Sequence, residues 1–255
     1  MRGLWTAGIT DVMMEHDVWP DGLIGVSAGA AFGCNYKSRQ AGRAIRYNMR
    51  FARDARYSGV RSLLTTGNYY NADFGYHIIP KVYDVFDDLA FNNNPMEFVV
   101  VCTDVETGEA VYQPLTEASD EAYDYIRASA SMPLVSKVVP LQGRKLLDGG
   151  VGDSIPLEYF ESIGYQKNVV ILTQPQGYQK KHLKLMPLMR LALRKYPKMI
   201  HAQMRRPMCS STMVFATKQH WCRRSLPGRP LIARSIVLFT LTMSMIIISL
   251  KSTQK

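Results

Sequence analysis

Five residues, Gly25-Val26-Ser27-Ala28-Gly29, constrain this chain more than any other feature. They close the apolar run Asp21-Gly22-Leu23-Ile24-Gly25-Val26, and small residues follow at Ala30, Ala31 and Gly33. A serine with glycine two positions to either side, set between an apolar run and a small-residue helix, has the form of a nucleophile elbow, where a strand turns sharply into a helix. Gly25 and Gly29 are required because backbone packs against backbone and leaves no room for a Cβ. The turn forces Ser27 into a strained, exposed conformation at the helix N-terminus. There the amide of Ala28 can donate to an oxyanion.

A serine nucleophile needs a base. The five histidines, His16, His77, His182, His201 and His220, sit in no recognisable motif and read as surface residues. Leu146-Leu147-Asp148-Gly149-Gly150-Val151 offers another source, since an aspartate ends an apolar run and two glycines follow. A desolvated carboxylate with no cationic partner has a raised pKa and can take a proton directly from a hydroxyl. The alternative reading is that Asp148 only caps a turn, as Asp-Gly pairs commonly do.

The two motifs together resemble the patatin-like phospholipase family, above all its bacterial members. Other segments share the resemblance: Gly3-Leu4-Trp5-Thr6-Ala7-Gly8-Ile9, Val101-Cys102-Thr103-Asp104-Val105-Glu106-Thr107-Gly108-Glu109, and Ala128-Ser129-Ala130-Ser131-Met132-Pro133. The likeness covers residues 2–200. It implies a three-layer α/β fold with a mostly parallel central sheet flanked by helices, and a Ser-Asp dyad in which Ser27 is the nucleophile and Asp148 the base. Asp153 reads as a turn residue. The implied reaction is hydrolysis of a fatty-acyl ester in a phospholipid, lysophospholipid or neutral lipid, without metal or organic cofactor.

The chain departs from the family in one respect. Members open with a strand and a Gly-Gly-Gly-x-Arg-Gly loop whose amides form much of the oxyanion hole, and this sequence begins Met1-Arg2-Gly3. Arg2 and Gly3 can belong to such a loop; the strand and the first glycines have no counterpart. The expected explanation is a start assigned too late, or a fragment, with a truly inactive protein as the alternative. The expected consequences are weak oxyanion binding and an exposed ladder edge beside the elbow strand. Two other functions stand beside the hydrolase: a catalytically impaired lipid- or membrane-associated protein that keeps the fold, and a Ser-His-Asp esterase using His182 or another histidine.

The body of the chain reads as one α/β domain. Trp5, Ile9, Val12 and Met13 recur at helical spacing, and Ser38–Ala52 reads as a helix with Ile45, Met49 and Ala52 on one side. Leu23–Val26, Glu97–Thr103 and Asn168–Thr173 have the unbroken apolar character of fully buried strands. Tyr123–Ala130 and Ile155–Ile163 are predicted helices. Strands alternating with helices imply a sheet covered on both faces.

Charge is divided unevenly. Residues 1–161 hold 14 of the 31 Lys and Arg and all 21 Asp and Glu, whereas residues 162–255 hold the other 17 cations and no acid. The excess suits an anionic membrane surface; no nucleic-acid-binding motif accompanies it. Arg39, Arg43, Arg46, Arg50 and Arg53 step by three and four, as on one helix face, which reads either as a solvated stripe or as a phosphate-contacting face beside the elbow.

From residue 201 the likeness ends. Residues 201–255 form an atypical basic tail with nine Lys or Arg, containing the sixteen-residue uncharged run 235–250. That run is shorter than the roughly 20 residues of a spanning helix and rich in β-branched residues. Three readings stand: a shifted reading frame, a C-terminal membrane anchor, or a divergent folded tail. Cys34, Cys102, Cys209 and Cys222 lack metal-ligand spacing. Asp84, Asp87 and Asp88 read as a solvated helix end rather than a calcium loop. The expected compartment is the cytoplasm, with attachment to the inner membrane face as the alternative.

Overall fold

A computed structural model of the chain describes residues 3–173, 191, 194, 196–199, 213–217 and 237–239. In chain order the elements are α1 (Gly3–Glu15), β1 (Gly22–Val26), α2 (Ala28–Lys37), α3 (Arg43–Phe51), α4 (Val60–Thr66), a π-helix (Phe74–Tyr83), α5 (Asp88–Asn93), β2 (Glu97–Asp104), β3 (Ala110–Pro114), α6 (Asp120–Ser129), β4 (Val139–Leu141), β5 (Arg144–Asp148), α7 (Leu157–Ser162), β6 (Lys167–Ile171), β7 (Met213–Thr217) and β8 (Val237–Phe239).

The strands join into one sheet organised around β1 and β2. These two run parallel, from Gly22 opposite Glu97 to Val26 opposite Val101. Where β1 stops, β5 takes over the same edge of β2 in the opposite direction, with Asp148 opposite Cys102, while β3 covers the other edge from Val99 to Thr103. The C-terminal ends of β1 and β5 therefore meet on β2, and this collision positions the site. Among the described residues β1–β2 and β6–β8 pair in parallel and the other pairings are antiparallel, which makes an open, mixed sheet flanked by helices within the α/β fold that the resemblance implies.

Because side chains alternate along a strand, each strand feeds both layers. Leu23, Phe98, Val100 and Cys102 pack with Ala7, Phe32 and Ile126 on the face covered by α1, α2 and α6. Ile24, Val26, Val99 and Val101 pack with Phe160 of α7 and Tyr165 on the opposite face. Both β1 and the middle of β2 are fully buried, which explains their continuous apolar sequences.

Several expectations shift in position. The helix predicted over Ser38–Ala52 is shorter, and Arg39 adopts a left-handed φ of 57° before it. Its buried face carries Ala44, Tyr47 and Phe51, and Met49 is exposed. The arginine stripe is divided: Arg39, Arg46, Arg50 and Arg53 are exposed, as on a solvated face, and Arg43 is not. Arg43 is buried, donating to Asn35 Oδ1 at 2.7 Å and to the Asp84 carbonyl, and Arg46 binds the Asp84 carboxylate through two bonds of 2.8 Å. Asp84 is thus an internal counter-ion, not part of a solvated acidic end. Asp87 does cap α5, accepting from the Ala90 amide.

The exposed edge expected beside β1 is filled. β7 pairs antiparallel with β1 on the side away from β2, and also with β6. β7 lies in the segment set apart as a tail, so the boundary near residue 200 does not coincide with the limit of the sheet. Val237–Phe239, inside the apolar run 235–250, is a strand parallel to β6. The rest of that run lies outside the described residues. Among the described residues no helix is long and apolar enough to cross a membrane.

Candidate active site

The elbow forms for the steric reason its sequence announces. A Cβ on Gly25 would lie 2.7 Å from the Ala30 backbone, so β1 and α2 can approach this closely only through glycine. Ser27 has φ 58° and ψ −123°, a conformation that costs a residue with a Cβ about 1–3 kcal/mol. Its surroundings hold it there. The Ser27 amide donates to Ser129 Oγ at 2.9 Å, and Ser129 Oγ donates to the Val101 carbonyl at 2.6 Å. At the start of α2 the amides of Ala30 and Ala31 turn back onto the Ser27 carbonyl, at 3.0 and 3.2 Å. The half-buried Ala28 occupies the first helical position, with Gly29 behind it.

Asp148 arrives from the opposite direction at the end of β5. The glycine after it cannot be replaced, since a Cβ on Gly149 would stand 2.1 Å from the Val101 carbonyl oxygen. Thr103 Oγ1 donates to the Asp148 carbonyl at 2.7 Å and accepts from the Gly152 amide at 2.9 Å, which fastens the turn to β2. The Gly150 amide donates to Asp148 Oδ1 at 2.8 Å, leaving Oδ2 for Ser27, whose Oγ donates to it at 2.7 Å.

Burial pushes the Asp148 carboxyl up to about 6, and the hydrogen bonds from Ser27 and Gly150 moderate the rise. Among the described residues no cation acts on the carboxylate, so desolvation prevails. A carboxylate of this kind, joined directly to a hydroxyl, can accept that hydroxyl's proton as the oxygen attacks an electrophile.

Ser27 opens into a cavity of about 320 Å³. Gly3 and Ala28 line it near the serine, and Tyr47, Tyr57, Tyr70 and Tyr76 form much of its aromatic wall. Gly3 stands against α2: a Cβ there would meet Phe32 at 2.7 Å and Ala28 Cβ at 2.9 Å. Arg2 lies outside the described residues.

Neither described histidine is a hydrogen-bond partner of this pair. His16 is exposed, and His77 faces Asp124 at 3.5 Å and Asp120 at 3.8 Å, outside the cavity lining. His182, His201 and His220 lie outside the described residues. Asp153 accepts from Tyr112 Oη at 2.8 Å and from the Ile155 amide, in keeping with a turn residue. Among the described residues no group of three or more His, Cys, Asp or Glu is arranged to hold a metal. Cys34 and Cys102 are free and buried.

Sequence reasoning identified the segments holding Ser129 and Thr103 but gave neither residue a role. The available signal is a hydroxyl residue inside an apolar setting: Thr103 follows five buried apolar residues, and both side chains are completely buried. Such groups must find hydrogen-bond partners.

The family model described as "Patatin-like phospholipase" matches residues 1–161. The chain is 29% identical to the uncharacterized protein YjjU of Escherichia coli (strain K12), over 68% of this chain and 49% of that protein. It is 26% identical to lysophospholipase nte1 of Aspergillus niger and 27% identical to lysophospholipase nte1 of Emericella nidulans, each over 64% of this chain and 10% of the relative. The chain thus spans about half the length of the bacterial relative and a tenth of the fungal ones.

Proposed function

Because the chain belongs to the patatin-like phospholipase family, we propose that it is a serine acyl hydrolase cleaving fatty-acyl esters of phospholipid or lysophospholipid type through a Ser27–Asp148 dyad. Ser27 Oγ attacks the ester carbonyl carbon and its proton passes to Asp148 Oδ2. The negative charge developing on the carbonyl oxygen falls near the Ala28 amide at the start of α2, on the side where Gly3 packs. Collapse of the tetrahedral intermediate breaks the ester C–O bond, and the leaving alcohol takes the proton from Asp148. Water then attacks the acyl-serine with Asp148 again as base, which releases the fatty acid and restores Ser27.

The observation that carries this reading is the 2.7 Å bond to Asp148 Oδ2 from the Oγ of Ser27, which lines a cavity with an aromatic wall. The lysophospholipase names of the fungal relatives support the substrate class. The test is labelling by a fluorophosphonate together with hydrolysis of a short-chain ester. Wild-type protein should label stoichiometrically and turn over, and Ser27→Ala should do neither. Full labelling of the alanine variant refutes the assignment.

A further inference from the structure

Helix α4 presents apolar side chains to solvent. Leu64 is 80% exposed, the most exposed large apolar side chain among the described residues, and Val60 is 67% exposed. They are four residues apart, hence on one face of the helix. Arg61 on the same helix is exposed, and so is Lys137, whose stem packs over Gly67 at the helix C-terminus. Neither cation takes part in an ion pair among the described residues.

The helix is held firmly. The chain leaves and returns through an antiparallel bridge between Ser58 and Tyr70, reinforced by hydrogen bonds from Gly59 N to Tyr69 O and from Asn71 N to Tyr57 O. Ser62 Oγ donates to the Asn68 carbonyl at 2.8 Å, and Asn68 Oδ1 receives the Lys137 amide. Four residues of this stem, Tyr57, Asn68, Tyr70 and Asn71, line the cavity that holds Ser27. Three of them, Asn68, Tyr70 and Asn71, are only half-buried, so the cavity wall reaches the surface beneath α4.

We infer that α4 is the membrane-docking element of this protein, inserting Val60 and Leu64 into the surface of an anionic phospholipid bilayer while Arg61 and Lys137 meet its headgroups. Apolar side chains on a rigid support, flanked by two exposed cations that form no ion pair among the described residues, fit the boundary between headgroups and acyl chains. No carboxylate lies on α4 to oppose an anionic surface. Docking there sets the half-buried cavity wall against the lipid, so that an acyl chain leaving the bilayer passes along the tyrosines toward Ser27. The inference rests on the hydrolase reading for its purpose, not for its detection.

The experiment uses the full chain carrying Ser27→Ala, so that the vesicles stay intact, and measures cosedimentation with vesicles of phosphatidylcholine and phosphatidylglycerol in equal parts. Adding Val60→Ser with Leu64→Ser should weaken binding by about tenfold or more, given the apolar area withdrawn. Adding Arg61→Gln with Lys137→Gln should weaken binding to these vesicles by about fivefold per charge and leave binding to pure phosphatidylcholine unchanged. In the active protein, Val60→Ser with Leu64→Ser should retain hydrolysis of a water-soluble short-chain ester while hydrolysis of vesicle phospholipid falls. Absence of vesicle binding by the parent, equal binding by either variant pair, or parallel loss of soluble and vesicle hydrolysis each overturns the inference. Soluble-ester hydrolysis that persists in Ser27→Ala would instead refute the catalytic assignment and leave the cosedimentation result standing.

Discussion

Asp148 lies opposite Cys102, and Val26, the residue before Ser27, lies opposite Val101. The two candidate reacting groups, 121 positions apart in the chain, thus occupy successive places on a single edge of β2. Their contact follows from strand register, with β1 and β5 running toward one another until each must turn. The rigidity of three paired strands sets the 2.7 Å distance, and Ser129 and Thr103 secure the two turns from the flanking positions.

Asp148→Asn should lower turnover at least about 10², the lower end of what a general base supplies. It should also stabilise the protein at neutral pH. The carboxyl is raised from 3.8 to about 6, so between these values the native state holds more protons than the unfolded state, and stability falls as pH rises. Above about 6 the ionised buried carboxylate costs the fold on the order of 3 kcal/mol. Asparagine avoids that cost while still accepting from Gly150. Thermal melts should show Asp148→Asn ahead of wild type at pH 8, with the gap closing as pH approaches 4. An unchanged or lower Tm at pH 8 contradicts the desolvated environment.

The same ionisation should shape activity. For the dyad to work Asp148 must be deprotonated, so kcat/KM on an uncharged ester should fall tenfold per pH unit once pH drops below about 6. A limb centred near 4 would indicate a solvated carboxylate, and dependence on a histidine variant would favour a triad.

Ser129→Ala removes the acceptor for the Ser27 amide and the donor to Val101 O. Leaving these buried groups unpaired should cost about 1–3 kcal/mol each in stability. Turnover should fall while KM changes little, because the strained backbone of Ser27, the candidate nucleophile, loses its support. Denaturant unfolding and steady-state kinetics on the one variant read both effects.

Two glycines should respond in opposite ways to alanine. In Gly149→Ala the new Cβ would meet the Val101 carbonyl at 2.1 Å, and neither backbone can yield without disrupting the sheet, so the variant should be severely destabilised or fail to fold. Gly8 sits within α1, and a Cβ there meets nothing within 4 Å. Gly8→Ala should therefore raise stability by about 0.5–1 kcal/mol through helix propensity alone. Comparing the soluble yields and melting temperatures of the pair checks both statements.

Val214 of β7 is fully buried between β1 and β6, packed in the cluster of Ile24 and Val170. Val214→Asp should destabilise the fold by several kcal/mol, since it places an unpaired charge in that layer. A melting temperature equal to wild type would mean that β7 does not support the elbow strand in solution.

What the sequence determined by itself was local. Glycines flanking Ser27 and following Asp148 mark places where backbone approaches backbone, and that requirement is legible in single residues because no other side chain meets it. The buried strands β1, β2 and β6 were likewise readable from unbroken apolar runs. Helix faces were not. Arg43 lies on the buried side of α3 because Asp84 and Asn35, distant in sequence, satisfy its guanidinium. The mixed direction of the sheet, the pairing of β7 with β1, the sharing of one edge of β2 by β1 and β5, and the roles of Ser129 and Thr103 depend on hydrogen bonds between segments far apart in the chain. A residue's own chemistry says that such a bond must be made but not with whom, and only the tertiary structure supplied the partner.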